Sequence, residues 1–184
     1  INAQGLTFLT SEERDQYDEA EIESLGYATN FPSQHSMLQY APPVLQQNGG
    51  SCAGFAATYC AHSTMVNKVL GRTNPLHKWI VSFDPYFHYS IMNGMQANPC
   101  NMGSQFPRLF ELMQQVGSMR DLYPPRLDCD FNWIDRNTGE IRSNLTPVLH
   151  AALPFRIENF GLLDLNRSDW MTVMKTFVAN DIPV

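Results

Sequence analysis

Cys52 closes a small, flexible run, Gln46-Gln47-Asn48-Gly49-Gly50-Ser51-Cys52, that passes directly into a helical pattern beginning Ala53-Gly54-Phe55-Ala56-Ala57. A thiol in the first turn of a helix feels the positive end of the helix dipole, which favours thiolate over thiol. The thiolate is the nucleophilic form, so this position can activate a cysteine for covalent catalysis. The competing reading is a buried inert thiol, a common fate for cysteine. A nucleophilic thiol needs a base, and five histidines are present: His35, His62, His77, His88 and His150. His62 lies ten residues along the same helix, about 15 Å away by helix rise, which is too far. His35 reads as an exposed loop residue, and His77 and His88 as structural histidines in or beside the next helix. His150 is the best internal candidate but stands ahead of a predicted strand.

The elements that must position Cys52 follow from periodicity and punctuation. The central helix is capped by Ser51, carries Phe55, Tyr59, His62, Val66 and Leu70 at helical spacing, and stops at Gly71. Ala53, Gly54, Ala56 and Ala57 are small enough for other elements to approach the nucleophile closely. A second helix is predicted from Pro85 to about Asn93, with Tyr86, Tyr89 and Ile91 buried or half-buried. A third follows Ser104, with Phe106, Leu109, Phe110, Met113 and Val116 on one face, Pro107 in the first turn and Gly117 at the end. Residues 123–144 read as loop, with a hairpin turn at 135–140. Phe155 to Phe160 alternates as a strand does, and Ser168-Asp169-Trp170 opens a helix carrying Val173, Met174 and Phe177. Near the N-terminus, Thr10-Ser11-Glu12-Glu13 fits a capping box, followed by an acidic surface run through Glu23.

Cys60, Cys100 and Cys129 accompany Cys52, and their spacings match no paired zinc-binding pattern, so no metal is expected. With Cys52 reactive, at most one disulfide forms among the other three. Cys100 and Cys129 flank a helix and a loop and are the favoured pair, while Cys60 reads as a small buried apolar residue. The alternative is four reduced cysteines in a cytosolic protein.

The run from Phe31 to Ala57 resembles the start of a papain-like cysteine peptidase of bacterial type. The matching residues are Phe31-Pro32-Ser33, Pro42-Pro43-Val44, Gln46 six positions before the nucleophile, and Gly50-Ser51-Cys52 opening the central helix. Cys100-Asn101-Met102-Gly103 is similar to the family's Cys-Asn-Gly-Gly, whose second glycine faces the substrate backbone. Ala53, Gly49, Gln47 and Met102 depart from the family pattern. The resemblance implies an α+β, two-lobed fold. Residues 1–30 would be an N-terminal extension or pro-segment remnant, 31–145 the helical lobe, and 146–184 the start of a β-barrel lobe completed by a missing or separate segment.

It also implies that Cys52 is the nucleophile and Gln46 an oxyanion donor, with Gly50, Ser51, Asn101, Met102 and Gly103 contacting substrate. The family's His and Asn lie about 130–150 residues after the Cys, which here falls at or beyond Val184. A second chain carrying them is therefore the expected partner, beside a peptide or protein substrate, and no cofactor is called for. Two rivals stand beside the peptidase: a catalytically inactive, peptide-binding or inhibitory module on the same fold, and a transglutaminase-like thiol acyltransferase, which lacks the Gln six positions before the Cys.

Of 184 residues, 43% are hydrophobic, enough for a real core. The net charge of −6, with no basic stripe, argues against a nucleic-acid partner. No apolar run approaches the roughly 20 residues of a membrane helix. The first residue is Ile1 rather than Met, the trace expected of a segment removed from a secreted or periplasmic protein, or of an expression tag. Asn144-Leu145-Thr146 and Asn166-Arg167-Ser168 fit the glycosylation sequon, which has meaning only in a eukaryotic secretory host.

Overall fold

A computed structural model describes residues 9–17, 30–121, 127–135, 137–142 and 144–184. Its helices are α1 (Ser11–Arg14), the central helix α2, whose first part Gly54–His62 is π-helical and whose second part Ser63–Val69 is α-helical, α3 (Pro75–Ile80), α4 (Tyr86–Asn93), α5 (Phe106–Val116), α6 (Leu145–Ala152) and α7 (Trp170–Ala179). Short 3₁₀ turns occupy Leu38–Tyr40, Pro99–Asn101 and Leu153–Phe155.

The central helix is wound wide, and its sequence explains how the wide turns are filled. Gly54 passes so close to α4 that a Cβ would sit 2.2 Å from the Pro85 carbonyl oxygen. At the return to α-helix, the Ser63 hydroxyl reaches back to the Thr58 carbonyl at 3.4 Å and the Thr64 hydroxyl to the Cys60 carbonyl at 2.6 Å. Carbonyls displaced from the α-helical ladder thereby find side-chain donors. The winding also changes which residues face inward. Tyr59 and His62 are buried as the spacing predicts, but Leu70 is exposed and Thr58, Ser63 and Asn67 are buried. Cys60, expected to be buried, is exposed. Gly71 stops the helix as expected, with a positive φ of 62°.

α4 is the core of the molecule. Tyr86, Phe87 and Tyr89 on it pack with Met119, Leu127, Cys129, Trp133, Val148 and Ala152. A smaller cluster joins Ala53 and Ala57 of the central helix to Leu109 and Met113 of α5. α5 ends at Gly117, where positive φ is needed and where a Cβ would meet the Ala152 carbonyl oxygen at 2.0 Å. Residues 82–84 and 119–121 are tied by Asp84 N–H to Met119 O and Asp121 N–H to Ser82 O, both 2.8 Å.

The capping box at Thr10 and Glu13 is present. α1 and the residues after it lie on α5: the Tyr17 hydroxyl donates to Glu111 at 2.9 Å, and the Tyr17 ring meets Phe160. The acidic run from residue 18 onward falls outside the described residues. The turn at 135–140 forms, closed by Asp135 N–H to Glu140 O at 2.8 Å.

The strand expected over 155–160 is not formed: Phe155 ends a 3₁₀ turn, and the extended backbone that follows bonds the end of α5, Ile157 N–H donating to Met113 O at 3.4 Å and Glu158 O accepting from the Gln114 side chain at 2.9 Å. Alternating hydrophobicity yields a strand only where a second strand offers a ladder. Residues 146–184 contribute α6 and α7, joined by this extended backbone. Among the described residues the chain is helical, with isolated bridges at Phe83–Arg120 and Ile134–Ile141.

Candidate active site

Cys52 is the first helical residue of the central helix and is half-buried. Its backbone N–H, in the first turn, has no acceptor within the helix. The loop in front of it is held from three sides. Gly50 N–H donates to the Cys100 carbonyl at 2.6 Å, Asn48 N–H donates to the Tyr86 hydroxyl at 3.1 Å, and the Ser51 hydroxyl donates to the Asn48 carbonyl at 2.8 Å. Ser51 thus braces the loop instead of capping the helix. Gly49 adopts φ +68°, and a Cβ there would lie 2.5 Å from the Cys100 oxygen, so only glycine permits this approach.

The strip that meets this loop is itself anchored. Cys100 is bonded to Cys129, the favoured pair. Tyr89 is fully buried, and its hydroxyl donates between two carbonyls of the strip, those of Met102 at 2.7 Å and Pro99. Burial, and next the charge of the Cys52 sulfur, push the Tyr89 phenol up to about 12, so it remains a donor at any physiological pH. The same electrostatic effect puts the sulfur within range of this phenol. Burial raises the Tyr86 phenol as well, although its bonds to Asn48 and Ser51 oppose the shift.

The structure therefore brings Gly50, Ser51 and Cys52 together with the strip Asn101-Met102-Gly103 through the intervening Cys100. Asn101 and Met102 are exposed, and Gly103 is half-buried. Gln46 lies exposed in the preceding loop, and its side chain makes no hydrogen bond among the described residues. Ala53 is fully buried in the Leu109–Met113 cluster.

The histidines are engaged elsewhere. His88 is fully buried, its Nε2–H donating to Gly117 O at 2.7 Å and its Nδ1 accepting from the Thr58 hydroxyl at 3.1 Å. His62 pairs through Nδ1 with the Ser118 hydroxyl at 2.9 Å and stacks on Phe83. Burial lowers both imidazoles to about 4, so both are neutral rings serving the core. His35 bonds Asp181 at 2.6 Å, in a cluster completed by Lys68. His77 and His150 are exposed on α3 and α6. No group of three or more potential metal ligands occurs among the described residues.

Tyr86 and Tyr89 carry the site's framework, yet the sequence marks them only as inward-facing residues of a helix. Their hydroxyl partners are backbone groups 10 to 38 positions away, which no local pattern records.

A central helix led by a half-buried cysteine, with α4 and α5 packed on it, is a fold this chain shares with a solved protein. Among solved structures the chain is similar to xylellain, described as a cysteine protease from Xylella fastidiosa. The TM-score is 0.60 at 13% identity, over 97% of this chain and 64% of that one. No family model matches the sequence, and no curated protein matches it.

Proposed function

We propose that the protein is a papain-like cysteine endopeptidase with Cys52 as its nucleophile. The observation that carries this reading is the half-buried thiol at the start of the central helix, behind a loop bonded to the strip of residues 100–103. A histidine and an asparagine supplied by polypeptide beyond residue 184 complete the site, either on a second chain or on further sequence. Support comes from the engagement of His35, His62 and His88 elsewhere and from the neighbour's greater length.

In this mechanism the histidine accepts the Cys52 proton, and the thiolate attacks a peptide carbonyl. The amine leaves with a proton from the imidazolium, and water hydrolyses the thioester. The Cys52 N–H and the Gln46 side chain stabilise the oxyanion, each worth about 3 kcal/mol in related acyl transfer. Gly103 and its neighbours Asn101 and Met102 receive the substrate backbone beside Gly50 and Ser51. The Cys100–Cys129 disulfide is compatible with a secreted or periplasmic location.

Replacing Cys52 by Ala tests the assignment. The variant keeps the wild-type circular dichroism and loses turnover of a peptide substrate in the complete enzyme; retained turnover overturns the reading. Iodoacetamide labelling at neutral pH separates the peptidase from an inactive relative. A catalytic Cys52 reacts faster than the more exposed Cys60, whereas a dead site reacts more slowly.

A further inference from the structure

The segment 38–45 and α3 build a second surface, on different residues from the candidate active site. Pro43, Leu45, Pro75, Leu76 and Trp79 line an open hollow of about 480 Å³. Large apolar side chains on these two elements stand in water: Val44, between the lining residues Pro43 and Leu45, is 99% exposed, Leu76 59% and Trp79 41%. Scattered apolar residues are ordinary on a surface, but a contiguous set with a hollow at its centre marks an interaction site.

The surface is held in shape before anything binds. Lys78 on α3 donates to the Gln39 carbonyl at 3.1 Å, tying the two halves together. Asn67 donates to the Tyr40 carbonyl at 3.0 Å, fixing the 3₁₀ turn to the central helix. α3 has its own cap, the Asn74 side chain accepting from Leu76 N–H at 3.0 Å, with Pro75 in the first turn. Preorganisation of this kind lowers the entropy lost on binding.

Charge indicates the occupant. All 18 acidic residues of the protein lie outside positions 24–83, although the chain as a whole carries −6. Every residue lining the hollow falls inside that acid-free stretch, whose fixed charges are Lys68, Arg72 and Lys78, with His77 exposed beside them. Lys68 is paired with Asp181, which leaves Arg72, His77 and Lys78 as the cationic groups beside the apolar centre, a combination that complements an apolar anchor flanked by carboxylates. A concave pocket lined by proline, leucine and tryptophan suits one inserted side chain better than a sheet of lipid chains.

We propose that this face is an exosite for an acidic peptide segment of a partner protein, which places one bulky apolar side chain in the hollow between Pro43 and Trp79. The peptide lies over α3, with its carboxylates toward Arg72, His77 and Lys78.

A random dodecapeptide library displayed on phage and panned against the full chain tests this. The expected result is enrichment of peptides with Leu, Phe, Trp or Met flanked by Asp or Glu. These should bind Leu76→Asp and Trp79→Ala at least ten-fold more weakly than wild type, and should weaken with added salt. Both substitutions are at exposed positions, and circular dichroism confirms the fold. The proposal is overturned if no such motif is enriched, or if the enriched peptides bind both variants as well as wild type. Two further outcomes refute it in favour of another occupant: saturable binding to phosphatidylserine vesicles that Leu76→Asp abolishes, or a dimer in light scattering that the same variant dissociates.

Discussion

Acidification from about pH 7.5 to about pH 5 is expected to remove about 4 kcal/mol of stability, because two imidazoles are buried neutral. His88 is fully buried and His62 is 6% exposed. Both are held near 4, against an ordinary value of 6.5, chiefly by burial. In the folded state a lowered histidine refuses a proton that the unfolded chain accepts. The stabilisation is therefore complete above 6.5 and is lost as the pH falls toward 4. At about pH 5 the difference is about 2 kcal/mol for each ring, and the full shift corresponds to about 3 kcal/mol each. A total near 4 is a large part of the about 5–15 kcal/mol that holds a typical domain folded.

The assay is urea unfolding at the two pH values with the disulfide oxidised, for wild type and for His88→Gln. The glutamine can still donate toward Gly117 O but cannot titrate. The variant is less stable at neutral pH, yet its loss on acidification should be about half that of wild type. An equal loss in both proteins would refute the reasoning, since His88 would then not be a source of the pH dependence.

Gly54→Ala forces a methyl group to within 2.2 Å of the Pro85 carbonyl oxygen, and overpacking of this kind should cost about 1–3 kcal/mol or more in a denaturation midpoint. Reducing the Cys100–Cys129 bond, with 29 residues of separation, should cost about 3–4 kcal/mol by loop entropy; it should also slow alkylation of Cys52, because the loop in front of it rests on Cys100. Tyr89→Phe removes the donor shared by Met102 and Pro99, and a loss of about 1–2 kcal/mol is expected in urea unfolding. Under the proposed peptidase mechanism the same variant should raise KM more than it lowers kcat, since the strip assigned there to the substrate backbone loosens while Cys52 stays in place.

Local chemistry made part of this protein legible. The capping box at Thr10, the helix stops at Gly71 and Gly117, the first turn of α5 at Pro107, and the periodic faces of α4, α5 and α7 are set by groups a few residues apart. Two helices escaped notice because their signals are brief. α3 is six residues long, announced by Asn74 and Pro75 alone, and α6 has a proline in its first turns. The Cys52 motif stood out because glycine, serine and cysteine at a helix entrance are a compact pattern.

What the sequence determined by itself was the course of the longer periodic helices, the stops at Gly71 and Gly117, and which thiol heads the longest helix, because periodicity, dipoles and steric stops act within one or two turns. Tertiary structure alone decided the rest. The π-helical winding turned Cys60 outward, a helix end rather than a second strand took up 156–160, and Tyr89 became the anchor of the strip beside Cys52. Each depends on a group distant in the chain, and a linear pattern carries no record of what folding will set opposite a given residue.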